Sequence, residues 1–342
     1  MDVQEEWAIS LANVTAKPRD WLWRPRIPAG ELTLIAGIQG IGKSTAVIDL
    51  LARITTGKKW PDGEANSVGN VVLLSAEDNL QSTIRPRFDA AMADLKRIYV
   101  VRGAPSKAKK GKLLPFDLGR DLSNLVYLAE TVKNIRAICI DPVGSYLGDI
   151  DVHRENSVRN VMYALKADLA EKYGIAVLGI VHLRKGGTDD SALSRILGSV
   201  AFTAAARCVW GVAQDEDDPE RKVFIPMKHN LTAKAVAGLE FFVESGRNGE
   251  AAIRWGEPVN VVAEEAMTDR GMRPQVQREK AKRIIVKLLG RGAKLATEVM
   301  EECGMEEISQ GTIKAAKKDL KIKSVKQADG TWMWILPRGG ST

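Results

Sequence analysis

The sequence predicts an α/β fold: a mostly parallel sheet covered by helices on both faces, followed by a small C-terminal module. Three observations predict it. Continuous apolar runs of strand length alternate with helix-length amphipathic stretches, as strands buried on both faces require. The run Gly37-Ile38-Gln39-Gly40-Ile41-Gly42-Lys43-Ser44 fits the phosphate-loop pattern G-x-x-x-x-G-K-[ST] and lies between one such strand and one such helix. Residues 271–342 hold 15 basic and 8 acidic residues, whereas the first 270 residues are neutral, so the formal charge of +7 sits in the tail. A neutral body with a basic tail suggests a nucleic-acid partner.

Hydrophobic content of 45% and charged content of 27% fit a soluble globular protein of one large and one small domain. No apolar run approaches the ~20 residues of a membrane span. Glu5, Glu6 and Trp7 interrupt any signal-like core, so a cytoplasmic chain without a membrane partner is expected. Cys139, Cys208 and Cys303 lie far apart without metal-ligand spacing and are expected to be inert thiols.

In chain order, residues 1–17 read as a polar arm and 18–256 as the main domain. Leu32–Ala36 is a buried strand entering the phosphate loop, and Ser44–Thr55 the helix leaving it. Asn70–Ser75 is a second strand, followed by a helix from near Asn79 and a short strand, Ile98–Val101. The basic stretch Lys107–Lys112 reads as a flexible loop. Leu122–Val132 and Val158–Lys172 read as helices around the strands Ile135–Asp141 and Ile175–His182. Four short strands follow, Arg207–Ala213, Lys222–Met227, Glu240–Val243 and Ala252–Trp255, expected as an antiparallel extension. Residues 257–277, with Pro258, Gly271 and Pro274, read as a linker.

The glycines of the phosphate loop let its N–H groups point at phosphate oxygens, and the helix N-terminus adds partial positive charge. Gly37, Gln39, Gly40, Ile41, Gly42, Lys43, Ser44 and Thr45 are therefore the candidate ATP-binding residues. Lys43 is placed for the β- and γ-phosphates, and Ser44 for Mg²⁺. Asp141 closes the strand IRAICID, where one carboxylate can join the Mg²⁺ shell. Glu77, after the second strand, can orient and deprotonate the attacking water, since carboxyl ends of adjacent parallel strands share one crevice. Asp78 competes with it but is expected to cap the following helix. His182 closes another strand and can donate to a γ-phosphate; read alone, it is more readily a structural histidine, and its place in the same crevice reverses that reading.

The pieces IPAGELTLIAGIQGIGKST, GNVVLLSAED, AICIDPVGSYLG, IAVLGIVHLRKG, RILGSVAFTAAARCVWGV and VFIPMKHN, in this order, resemble the RecA-type P-loop ATPase core of RepA-like hexameric replicative helicases of plasmids and phages. The resemblance runs from Trp21 to about Val243. It implies that Glu77 is the catalytic base, His182 the γ-phosphate sensor, Arg207 an arginine finger and Lys228 a second cation serving a neighbouring subunit. It also implies that the loop Leu183–Arg195 faces a ring channel, where Arg184, Lys185 and Arg195 would hold single-stranded DNA. The basic loop Lys107–Lys112 is the rival for that task.

Residues 278–337 read as three helices, Arg278–Leu289, Leu295–Cys303 and Ser309–Leu320, then a hairpin of Ile322–Lys326 and Thr331–Leu336 around Asp329-Gly330. The order resembles winged helices appended to phage and plasmid ATPases. That resemblance implies Lys314, Lys317 and Lys318 on a DNA-facing helix and Lys321, Lys323 and Lys326 near the wing. Trp332 and Trp334 are expected in its core. The expected function is an ATP- and Mg²⁺-dependent, ring-forming DNA helicase, a homo-oligomer, expected to be a hexamer, working beside a replication partner such as a primase. The alternatives are a recombinase-like loader and a DNA-binding regulator whose ATP state controls assembly. A partition ATPase is disfavoured because Ile38 and Gln39 stand where its extra lysine would be.

Overall fold

The computed structural model describes residues 9–337 except 107, 149, 151–154, 184–190, 197–199, 216–217, 219, 262, 268–272, 291, 307, 309 and 328–329. Nine strands form the main sheet: β1 (Leu32–Gly37), β2 (Asn70–Ser75), β3 (Ile98–Val100), β4 (Ile135–Asp141), β5 (Ala176–His182), β6 (Cys208–Gln214), β7 (Arg221–His229), β8 (Gly238–Ser245) and β9 (Ala251–Val259). Their order is β9-β8-β7-β6-β1-β5-β4-β2-β3. The six from β6 to β3 run parallel; β7, β8 and β9 continue the sheet antiparallel. A hairpin of Trp21–Trp23 and Ile27–Pro28 precedes β1.

Helices α1 (Lys43–Thr56), α2 (Arg85–Ala90), α3 (Leu118–Thr131), α4 (Glu155–Ala164) and α5 (Val200–Ala205) connect the parallel strands. Side chains alternate across the sheet and feed two apolar layers. Leu32, Leu34 and Ala36 face one layer with Leu125 of α3 and Val158 and Met162 of α4. Ile35 faces the other with Val47, Leu50, Leu51 and Ile54 of α1 and Phe88 of α2. Both faces are thus covered, as the continuous apolar runs require.

Three expectations change. Cys208–Gln214 belongs to the parallel set, because its register pairs Cys208 with Thr33 and Gly211 with Ala36; only the three strands after it are antiparallel. Those three are 9, 8 and 9 residues long, longer than expected, because most of the residues at their ends, such as Lys228-His229, Glu244-Ser245 and Glu257-Pro258, are not the apolar or β-branched types that mark a strand. The segment expected as a linker is partly packed: β9 runs to Val259, and helix α6 (Ala263–Ala266) buries Ala263, Ala266 and Met267 in the layer that also holds Leu34.

The C-terminal segment contains α7 (Arg273–Leu289), α8 (Ala296–Met305), α9 (Gln310–Asp319) and a sheet of β10 (Lys294–Leu295), β11 (Lys323–Lys326) and β12 (Trp332–Ile335) in the order β10-β12-β11. Ala281, Ile285, Val299, Cys303, Ile313 and Trp334 form its own apolar cluster. Arg278 and Lys282 of α7 both pair with Asp319 at the end of α9. Strand β10 was not foreseen. Trp334 is core, but Trp332 is 49% exposed, contrary to expectation: it shares the face of Trp334 but opens β12, beyond the Met333 and Trp334 positions that β10 pairs. All three cysteines are buried. No helix among the described residues is long and apolar enough to cross a membrane.

Candidate active site

Register alone assembles the site. Gly37 lies opposite His182, and Ser75 opposite Asp141, so the carboxyl ends of β1, β5, β2 and β4 meet at one edge. Gly40 and Gly42 have φ of +78° and +99°, in the region that favours glycine. Gly37 is required by close approach: a Cβ there would stand 2.8 Å from the Val212 carbonyl of β6. Gly42 caps α1 without a side-chain hydrogen bond, and the first turn of α1 carries no acid. Such a turn is suited to an anion.

Lys43 is 4% exposed, and its ammonium donates to the Gly37 and Ile38 carbonyls at 2.9 and 2.8 Å. His182 Nδ1 lies 3.4 Å from Lys43 Nζ, and His182 Nε2 lies 3.6 Å from Glu77 Oε1. Lysine, histidine and glutamate therefore form one chain of polar contacts across the crevice. Burial pushes the Lys43 ammonium down to about 8, against the raising influence of Asp141 and Glu77.

Asp141 is 9% exposed; burial raises its pKa, and the Ser44 hydroxyl, donating to it, works the other way. A hydroxyl and one carboxylate oxygen side by side suit Mg²⁺, which takes few protein ligands and completes its shell with water and phosphate oxygens. No cluster of three or more acidic, histidine or cysteine ligands occurs among the described residues.

Asp78 does not cap the next helical turn. Asn79 does, accepting from Gln81 and Ser82 N–H groups, while Asp78 pairs with Arg87 at 2.8 Å. Glu77 is left the more accessible carboxylate, its side chain 53% exposed. Sequence reasoning missed Lys222, Phe241 and Val243, whose side chains flank Gly42 from β7 and β8. No local signal marks them, because only long-range strand pairing brings them there.

Arg207 and Lys228 lie at the other edge of the sheet. The Arg207 N–H donates to Leu32 O at the start of β1, five residues and about 17 Å from Gly37. Arg207 pairs with Glu31 at 3.6 Å and is about half exposed. The Lys228 ammonium donates to Thr203 and Ala206 carbonyls at 2.6 and 2.8 Å, on the last turn of α5. Burial and the neighbouring Arg207 both lower the Lys228 pKa.

Of the expected DNA contacts, Arg184 and Lys185 lie outside the described residues. Arg195 is 4% exposed and donates to the Met267 carbonyl, so in this structure it is no surface cation; the Leu183–Ile196 bridge folds the end of its loop inward. Lys314, Lys318 and Lys323 are exposed, while Lys317 lies 4.7 Å over the Trp334 ring and donates to Ser324. Lys314, Lys317, Lys318 and Lys321 line one cleft with Ala296, Met300, Ile322 and Trp334.

The Lys43 shift gives a test by pH. A lowered pKa means that the proton leaves earlier as pH rises, whereas bound phosphate holds it on. ATP affinity is therefore expected to be flat below pH 8 and to fall above it, by up to about tenfold per unit. Calorimetric titration from pH 7 to 9.5 checks this; a flat profile would exclude Lys43 as the phosphate cation.

A family model described as an AAA domain matches residues 2–188, just over half of the chain. No curated protein matches it.

Proposed function

The chain belongs to the AAA domain family of P-loop ATPases, and from that premise we propose that it is an ATP-hydrolysing, ring-forming DNA helicase acting in replication of a plasmid, phage or related element. The observation that carries the reading is the separation of two sets of cations. Lys43 serves the crevice at one edge of the sheet, while Arg207 and Lys228 sit together about 17 Å away at the other. Cations there are out of reach of their own nucleotide. Exchanging Glu31 and the α5 carbonyls for phosphate oxygens, they would serve a nucleotide held by a second copy, where a guanidinium can accelerate phosphoryl transfer by ~10³-fold or more.

Within the crevice the geometry supports the following roles. Lys43 exchanges its loop carbonyls for the β- and γ-phosphates. Ser44 and Asp141 hold Mg²⁺, which when bound neutralises charge on the phosphate oxygens. Glu77 orients the water and takes its proton. His182, between Lys43 and Glu77, contacts the γ-phosphate and relays its loss to the loop that follows.

The C-terminal segment supports a nucleic-acid partner. Its element order, α7-β10-α8-α9-β11-β12, with exposed lysines along α9, supports reading it as a winged helix. The same basic module favours one second reading, a DNA-binding loader or regulator that uses ATP for assembly. ATP-driven separation of a forked duplex decides between them. Unwinding that requires hydrolysis is the expected result. Full ATPase activity without unwinding, alone and at any fork geometry, would favour the loader.

A further inference from the structure

The stretch 101–116 carries five cations, Arg102, Lys107, Lys109, Lys110 and Lys112, and no acid, in a body whose first 270 residues are neutral. It is a built projection. Ala104 pairs with Leu114 and Pro105 with Leu113 as a two-stranded hairpin. The Ser106 N–H donates to Lys112 O at 2.9 Å, and the Lys109 N–H to the Ser106 hydroxyl at 3.2 Å. Gly103, at φ +149°, lets the strands meet, since a Cβ there would stand 2.5 Å from Leu114 O. Arg102, Lys109, Lys110 and Lys112 are exposed, and none of the four has an ion-pair partner among the described residues. Elsewhere on the body, Lys166 pairs with both Glu31 and Glu171.

The root of the hairpin packs on the turn that follows Asp141-Pro142. Ala104 and Phe116, 2% and 6% exposed, share one apolar cluster with Tyr146 and Leu147. The Phe116 ring meets the Tyr146 ring edge-on, centroids 6.4 Å apart. Tyr146 ends the turn that begins just after Asp141-Pro142. Asp117 seals the same junction: a Cβ on Gly148 would overlap its carboxylate at 1.9 Å.

We propose that this hairpin grips the phosphate backbone of a single nucleic-acid strand, and that its packing on the turn after Asp141 makes ATP turnover respond to the strand. The proposal rests on the DNA-motor reading above. Clustered, unpaired lysines bind a polyanion by displacing its counterions. Leu113 and Leu114, 41% and 37% exposed beside them, offer apolar ground that unpaired bases can cover and stacked duplex bases cannot.

The test uses the full chain, a labelled 20-nucleotide oligo-dT and the triple variant K109A/K110A/K112A. Strand affinity is expected to fall tenfold or more near 0.1 M salt, with the log–log salt slope reduced by about 2. Basal ATPase activity is expected to stay unchanged and strand stimulation to be lost; arginine at all three positions is expected to restore both. A variant that binds and is stimulated like wild type would overturn the hairpin alone. Wild type that hydrolyses ATP but binds no strand would overturn the DNA reading and the hairpin with it. Competition by poly-glutamate as strong as that of oligo-dT would overturn the nucleic-acid assignment. Phe116→Leu, with its unfolding midpoint checked, is expected to bind the strand normally but lose stimulation; retained stimulation would overturn the coupling.

Discussion

Replacing Glu77 with glutamine is expected to slow ATP turnover by about 10²- to 10⁴-fold while leaving ATP binding at pH 7 intact. The amide keeps the size of the side chain and its reach toward His182, 3.6 Å away, but cannot take a proton from water. A second readout separates catalysis from charge balance. Glu77 helps to keep Lys43 protonated, so in the variant the alkaline fall in ATP affinity should begin at lower pH than in wild type. Single-turnover hydrolysis and equilibrium binding, both followed across pH, check this. If turnover falls only as far as affinity does, Glu77 is a charge partner and the base lies elsewhere.

Trp210→Ala is expected to cost about 3–5 kcal/mol of stability. Trp210 is fully buried, stacks on Phe224 at 4.6 Å and donates from its indole N–H to the Arg26 carbonyl at 3.0 Å. Truncation opens a cavity and also leaves that carbonyl unpaired. Trp210→Phe keeps most of the stacking and loses the hydrogen bond, so about 1 kcal/mol of the penalty from that source should remain. Urea unfolding of the three proteins measures the series. The site should respond too, because Trp210 pairs with Ile35 of β1 and its neighbour Val212 abuts Gly37. Alanine at 210 that unfolds at the wild-type midpoint would mean that the aromatic cluster is not what fixes β6 against β1.

Local chemistry made much of this site legible. Asn70–Ser75 and Ile135–Asp141 stand as strands with the ends their sequence suggests, because each is a continuous apolar run closed by a polar residue. The phosphate loop was legible because glycine positions and a lysine at fixed spacing encode backbone geometry directly. What depends on remote partners was not. Nothing near Arg195 announces that Met267, 72 positions later, accepts from it. Nothing near Trp332 tells that the first residue of β12 is left open while Trp334, two residues on and on the same face, is covered. The cap at Asn79 rather than Asp78 turned on Arg87, nine residues from the aspartate and drawn to it by the turn itself. The hairpin before α3 was hidden for another reason: its strands are two residues each, too short for any periodicity.

The two borders of the main sheet set a limit on how copies of this chain can join. At one border, β3 offers only three residues of ladder. At the other, β9 carries Pro258, which has no N–H to give, and Arg254, whose guanidinium is tied to Glu244 and lies over the Phe242 ring. A truncated border and a border broken by proline and fixed charge both resist templated strand addition. Sheet-to-sheet fusion, the commonest route by which open β-structure polymerises without control, is closed off at both sides. Any association of copies of this ATPase would then have to use side-chain surfaces, which can be remade reversibly, and not a backbone ladder, which would lock.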